Sequence, residues 1–411
     1  MKELRIGIIG TGMISNRHMT IWSNIPGAKV VAGCDIDEAK VKAWGERYGI
    51  PQEALYVDFR KMLERDDLDA IDVCVHNNLH TPVSVAVMKA GFPCYCEKPM
   101  AASYADAKIL YDAQKATGQK LAVQLSSIYN LQTRLAKRMI EEGKLGKIYH
   151  ARSIGHRREG RPGFDMPNFS RDFISKDIGV HGPLCDLGIY HLAQMLYVMG
   201  MPELDTVFGV STADYYRDPR LLPPGVTYDV EDLSVGIATF KNGVSLDIYE
   251  DWAMHMDEVG TSFIAGSMGG LKLIDVDTTG GDLAVPKGGR IAGGGSAQKP
   301  TLEFFGYEDG LKTSKIINCQ ENGRKEAQAD PRMALYNDNQ VHWAAYLRGE
   351  LDDSTRIDSP YIAMETALLS DAIFISQAQH RSVTGEEARA MSQSVALRRQ
   401  ETPWGVIEYD F

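Results

Sequence analysis

In the first third of the chain, short unbroken apolar runs alternate with stretches whose apolar residues recur at helical spacing. The runs are ELRIGIIG, AKVVAGCD, LDAIDVCV, FPCYCEK and QKLAVQLS. They lack the strict alternation of a strand with one wet face, so they predict strands covered on both sides. Residues 13–24, 37–48, 80–91 and 103–117 predict the helices between them. Pro82 stands near the start of the third helix, Gly91 lies at its end and Gly118 closes the fourth, as helix start and stop chemistry requires. Alternating strands and helices with short links predict a doubly wound parallel sheet, an α/β fold.

After about residue 125 the texture changes. A helix is expected over 130–142, ended by Gly143, and longer, partly alternating strands follow, GVSLDIYEDWAM and TSFIAGSMGGLKLIDV. Strands without intervening helices predict a mostly antiparallel sheet. The glycine-rich stretch 279–296 reads as a flexible loop, and helical spacing returns at 334–348 and 359–378. The expected division is a first domain over 1–126 and a second over 127–411. A length of 411 residues suits two or three domains.

Charge narrows the partners. With 55 acids against 44 bases the formal net charge is −11, which argues against nucleic acid or an anionic membrane as the main partner. No apolar stretch approaches the ~18 residues of a membrane helix, and MKELRIGIIG lacks the apolar core of a signal peptide. The six cysteines form no C-x-x-C pair and several lie in apolar runs. Reduced, buried thiols in a cytoplasmic protein are the reading that follows.

The first chemistry lies at the turn out of the first strand. Gly10-Thr11-Gly12-Met13-Ile14-Ser15 is G-x-G-x-x-S. The first glycine permits a tight turn, the second lets a pyrophosphate approach the backbone, and the helix start at Met13 and Ile14 offers unpaired N–H groups. Asp35 ends the second strand, where a carboxylate accepts from ribose hydroxyls and repels a 2′-phosphate. Ile36 and Asp37 follow, with no Arg to hold such a phosphate. The expected cofactor is NAD.

A second feature is a Lys where a buried strand ends. In CYCEKPMA, Glu97 and Lys98 follow the fourth apolar run, and ligands bind beyond the carboxyl ends of such strands. A cation there can steady an alkoxide as a hydroxyl loses its proton. It can equally pair with Glu97 and do nothing more. Asp186 and Tyr190 stand at i, i+4 in DLGIYH, entering an apolar helix, and so share a face. His191 lies about 100° further round and reads as a supporting or core residue.

These segments, with LDAIDVCVHNNLHTP and GPLCDLGIYHLAQMLYVMG, resemble the Gfo/Idh/MocA oxidoreductases over nearly the whole chain. The resemblance implies a Rossmann domain followed by an α+β domain with a large open sheet. It also implies hydride transfer to NAD from a ring secondary alcohol of a sugar, glycoside or inositol-like polyol, and assembly as a homodimer or homotetramer. An NAD-dependent glycoside hydrolase using transient sugar oxidation is the alternative, and a non-catalytic NAD sensor a third reading. The family pattern places Asn77, His80, Glu97 and Lys98 by the cofactor, and Lys98 and Asp186 in catalysis. Its D-x-G-x-H acid–base histidine is here Tyr190, as in the glucose–fructose oxidoreductase branch, and Val75-His76 replace Thr-Pro. Tyr190, activated by Lys98, is then the expected base. His156, Arg157, Arg158, Asp172, Tyr228, Trp252 and His255 are candidate polar contacts for a sugar. Cys74, His76 and His80 raise the question of a metal, but no closed ligand spacing follows from them, and none is expected.

Overall fold

The computed structural model describes residues 2–166, 169–213, 218, 220, 222, 225–256, 259–274 and 301–411. The glycine-rich stretch expected as a loop at 279–296 lies outside them. Two compact units emerge. The first comprises Met1–Gln124, Asp338–Ala367 and Gln393–Phe411; the second comprises Leu125–Asn337 and Leu368–Ser392.

The first unit is a six-stranded parallel sheet. Its strands are β1 (Leu4–Ile9), β2 (Ala28–Cys34), β3 (Leu55–Tyr56), β4 (Ala70–Val73), β5 (Cys94–Cys96) and β6 (Leu121–Val123), in the order β3-β2-β1-β4-β5-β6. Chain order reverses beside β1, so β1 and β4 flank the crevice where a dinucleotide is held. Every residue of β4, β5 and β6 is buried, which explains the unbroken apolar runs. The five expected strands are present. The edge strand β3, only two residues long, carries too little pattern to be read from sequence.

Residues 338–367 and 393–411, grouped by the sequence reading with the second domain, pack in the first unit. Ser359 Oγ accepts from Val123 N at 3.0 Å. The buried Asp106 carboxylate accepts from the backbone of Val395 and Ala396 at 2.8 and 3.0 Å. Such long-range bonds leave no local trace in the sequence.

The second unit is built on a nine-stranded sheet. Its strands are β7 (Ile148–His156), β8 (Leu204–Thr212), β9 (Leu233–Phe240), β10 (Ser245–Asp251), β11 (Phe263–Gly266), β12 (Gly270–Ile274), β13 (Thr301–Glu308), β14 (Leu311–Asn318) and β15 (Val383–Thr384). The order is β14-β13-β12-β11-β7-β10-β9-β8-β15, and only β7 and β10 pair in parallel. The stretch read as one long strand, TSFIAGSMGGLKLIDV, is instead a hairpin of β11 and β12. Ser267, Met268 and Gly269 turn the chain there, and Gly266 N donates to Gly269 O at 2.8 Å. The helix expected over 130–142 runs Leu131–Glu141. Gly188–Val198, largely buried, lies against β7. No helix among the described residues is long and apolar enough to cross a membrane.

Candidate active site

In the first unit the turn after β1 is shaped for a close backbone approach. Gly10 has φ +94°, and a Cβ there would stand 2.4 Å from the Cys74 carbonyl oxygen, so no other residue fits. A Cβ on Gly12 would meet nothing within 4 Å; the space over that backbone is open. Gly12 starts the helix Met13–Asn24 without a side-chain cap and without an acidic residue in the first turn. By contrast Asp37 and Ser103 cap their own helices. The N–H groups at Gly12, Met13 and Ile14 thus form the positive end of a helix, suited to a phosphate. Asp35 follows β2, and its Oδ2 accepts from Thr11 N at 2.9 Å and from Thr11 Oγ1 at 3.1 Å. The carboxylate is held against the glycine turn.

Beyond β4 and β5 lies a buried charged cluster that the sequence reading missed. His18, on the first helix, sits between two carboxylates. Its Nδ1 is 2.8 Å from Asp72 Oδ2 and its Nε2 is 2.8 Å from Glu97 Oε1. Trp22 Nε1 donates to Asp72 at 2.7 Å, and Cys74 Sγ stands 3.4 Å from His18 Nδ1. Burial opposes a charge on His18. The Asp72 carboxylate and Cys74 nevertheless raise its pKa well above the usual imidazole value. Burial would raise the Glu97 pKa, but the His18 hydrogen bond and charge, with Lys98, bring it below the ordinary carboxylate range. The cluster is an imidazolium between two carboxylates.

Glu97 is therefore bound to His18. Its other oxygen, Oε2, accepts from the Lys98 backbone N–H at 2.7 Å. Lys98 is half-buried. His80 is buried, with Nδ1 2.5 Å from Pro99 O and Nε2 3.1 Å from Val75 O, tying the two loops beyond β4 and β5 together. Burial lowers its pKa, and the two carbonyls and Glu97 oppose that shift. Asn77 is half-buried and His76 exposed.

Cys74, His76 and His80 share no focus: Cys74 faces His18, and His80 faces two carbonyls. Among the described residues, His18, Asp72 and Cys74 are the group whose ligand atoms lie within 4.8 Å of one another. Ligands around a zinc ion would stand roughly 3.4 Å apart. The 2.8 Å between His18 and Asp72 is a hydrogen bond, and Trp22 occupies the same carboxylate.

In the second unit, Asp186 ends a short helix, Pro183–Asp186, and Tyr190 lies in the next, Gly188–Val198. The single helix expected across this segment is tightened at Leu187, where Tyr190 N donates to Leu187 O. Gly188 lets the buried Glu250 approach the helix closely. A Cβ there would be 2.9 Å from Glu250 Cγ. Asp186 is buried, and Arg157 Nη1 lies 3.8 Å from its Oδ2. Tyr190 is half-buried.

His191 has a partner that the sequence reading did not foresee. Its Nδ1 is 3.0 and 3.2 Å from the two oxygens of Glu250. Glu250 is fully buried on β10, with Ser153 Oγ at 3.4 Å. Burial raises the Glu250 pKa, and His191 opposes that rise. Gly155 stands opposite Glu250 on the paired strand β7. A Cβ there would be 2.0 Å from Glu250 Oε2 and 2.4 Å from His191 Nδ1. The pair exists because position 155 has no side chain.

Of the other candidate contacts, Arg157 stands beside Asp186. His156 is buried and its Nε2 donates to Met256 O at 2.7 Å. Tyr228 and Trp252 belong to an apolar cluster with Ile174 and Val230. Asp172 accepts from Ser170 at a helix start. His255 is exposed and stands 3.2 Å from Glu159, and Arg158 is exposed.

Residues 4–125 match the model of an oxidoreductase family with an NAD-binding Rossmann fold, Gfo/Idh/MocA, and residues 133–272 match that family's C-terminal domain. The chain belongs to the Gfo/Idh/MocA family. Among its relatives, the D-glucoside 3-dehydrogenase of Escherichia coli (strain K12) is 29% identical over 260 residues, 62% of this chain and 72% of that enzyme. The inositol 2-dehydrogenase of Salmonella paratyphi B (strain ATCC BAA-1250 / SPB7) is 30% identical over 180 residues, 43% of this chain and 53% of that enzyme. An oxidoreductase from Agrobacterium radiobacter, solved with NAD+, L-tartaric acid and magnesium, superposes with a TM-score of 0.70 at 20% identity, covering 94% of this chain and 99% of that one. At that identity the likeness shows the fold. As a Gfo/Idh/MocA oxidoreductase the protein binds NAD. The bare glycine turn, the uncapped helix start and the Asp35 carboxylate fit that cofactor.

Proposed function

We propose that this protein oxidises a ring secondary alcohol of a sugar, glycoside or inositol-like polyol to the ketone. The observation that carries the reading is the family match in both domains, with relatives named as glucoside and inositol dehydrogenases. NAD, when bound, supplies the hydride acceptor. The chain supplies the proton chemistry and the orientation of the carbinol. Lys98 is assigned to steady the developing alkoxide, Asp186 to orient the hydroxyl and Tyr190 to take its proton. Arg157 Nη1 stands 3.8 Å from the Asp186 carboxyl. Asn77 and His80 are assigned to the cofactor side of the loop beyond β4.

One observation favours a second reading of the base. A carboxylate on His191 Nδ1 fixes the tautomer that leaves the lone pair on Nε2, the arrangement of an oriented general base. Turnover on a panel of monosaccharides, glycosides and inositols, read as NADH absorbance and product release together, tests both. Tyr190→Phe should lower kcat by ~10²–10⁴-fold if Tyr190 takes the proton. A near-normal Tyr190→Phe with an inactive His191→Ala assigns the base to His191. Release of an aglycone without net NADH would mark the hydrolase alternative, for which neither the geometry nor these relatives speak. No NADH from the whole panel, with reduction of a non-sugar carbonyl, would sink the carbohydrate reading.

Assembly and location complete the proposal. Phe208 and Ile237 face each other across β8 and β9, half or more exposed, and Phe305 and Ile316 are exposed on β13 and β14 at the other end of the sheet. We assign this sheet face to a homodimer or homotetramer, checked by sedimentation of wild type against Ile237→Lys. The six cysteines are buried and outside any disulfide, the state the cytoplasm maintains, and the protein is assigned there.

A further inference from the structure

We infer that His18 is a positioning residue for Lys98, acting through Glu97. The inference rests on the proposed role of Lys98 at the substrate hydroxyl. The geometry is a short relay. Asp72 on β4 holds His18 Nδ1 at 2.8 Å, His18 Nε2 holds Glu97 Oε1 at 2.8 Å, and Glu97 Oε2 holds the Lys98 N–H at 2.7 Å. All three side chains are buried, His18 completely. Tyr95 packs edge-on against the imidazole at 5.8 Å.

A buried ion pair of this kind is a poor source of net stability, because desolvating the charges offsets their attraction. What it provides is direction. Glu97 has one oxygen on each side, so the imidazolium fixes the plane of the carboxylate, and the carboxylate fixes the start of the Lys98 turn. A neutral or shorter group at position 18 removes the charge, or the reach, with which His18 holds Glu97 Oε1. The carboxylate must then rotate, which releases the Lys98 N–H, or take up a proton, which weakens Oε2 as its acceptor. Displacing a catalytic group by about 1 Å costs roughly 10²-fold in rate.

The test is a double-variant cycle on the full chain with NAD and a substrate from the panel. His18→Gln should lower kcat by about 10–10²-fold and leave the KM for NAD little changed, since the glycine turn and Asp35 are untouched. In a Lys98→Met background the same change should cost no further turnover. A full additional loss in that background means that His18 acts on the fold at large, and wild-type kcat in the single variant means that it positions nothing. Both overturn the inference. Full activity of Lys98→Met alone would instead remove the proposed role of Lys98, and the inference with it. If His18→Gln does not fold, Glu97→Gln carries the same cycle, because it keeps the shape of the side chain and breaks the charge relay.

Discussion

Replacing Gly155 by Ala should break the His191–Glu250 pair without touching either residue. The added methyl would lie 2.0 Å from Glu250 Oε2 and 2.4 Å from His191 Nδ1, and real Cβ contacts do not approach so closely. Gly155 and Glu250 sit opposite each other in the parallel β7–β10 ladder, so the backbone cannot yield without losing pairing on both strands. The side chains must separate. Glu250 is fully buried and would keep only the 3.4 Å contact from Ser153. Stranding one partner of a buried ion pair costs roughly 3–5 kcal/mol, a large share of the 5–15 kcal/mol that typically holds a domain together. Urea unfolding followed by tryptophan fluorescence should show that loss. The same change made in a Glu250→Ala background should cost far less, because the carboxylate that the methyl strikes is gone. Equal losses in the two backgrounds, or a single variant within 1 kcal/mol of wild type, would refute the reasoning. Activity separates the two candidate bases as well. If Tyr190 takes the proton, the surviving folded fraction of Gly155→Ala keeps much of its kcat; if His191 does, kcat falls with the pair.

Asp35→Ser should narrow the preference for NAD over NADP in calorimetric titration, and equal wild-type affinity for both would count against the ribose role of Asp35. Asp232, buried at the entry to β9, has its carboxyl pushed by burial from the usual 3.8 up to about 7. The folded state thus holds that proton more tightly than the unfolded chain. The resulting stability is fully present below about pH 4 and is lost as the pH rises through 7, by about 1.4 kcal/mol per pH unit. Asp232→Asn should therefore melt above wild type at pH 8 and lose that advantage at pH 5; the opposite order would show that the native carboxylate is ionised and paired.

Much of the first unit was legible because each strand is a buried run closed by turn chemistry, and the glycine turn and Asp35 fall in register with that pattern. Two departures among the strands have separate causes. β3 is too short to show a period, and Ser267-Met268-Gly269 turns a hairpin without an Asn-Gly or Pro-Gly signal. The buried acids were legible in principle. Asp72 interrupts the apolar run of β4. Glu250 continues the inward-facing series of Leu246 and Ile248 on β10, where a carboxylate must have a partner. What the sequence does not carry is the partner itself. His18 and His191 lie on helices far along the chain from the carboxylates they meet, and nothing in local spacing links His18 to Glu97.

The two units thus use one device for different ends, and burial decides which. In each, a carboxylate on an inner strand fixes a histidine from a neighbouring helix. His18 has a carboxylate on both ring nitrogens and no exposed surface. It cannot exchange a proton with substrate or solvent, and its charge, raised by its neighbours, is locked in. That makes it a strut. His191 has a carboxylate on Nδ1, and 14% of its side chain is exposed. The same pairing there orients an imidazole while leaving its second nitrogen the capacity to take a proton. A histidine pinned on one side and partly exposed is a form in which acid–base chemistry is done; pinned on both sides in the core, it is a way of aiming something else. On that distinction His18 belongs with the placement of Lys98, and His191 stands beside Tyr190 as the group against which the proposed base has to be tested.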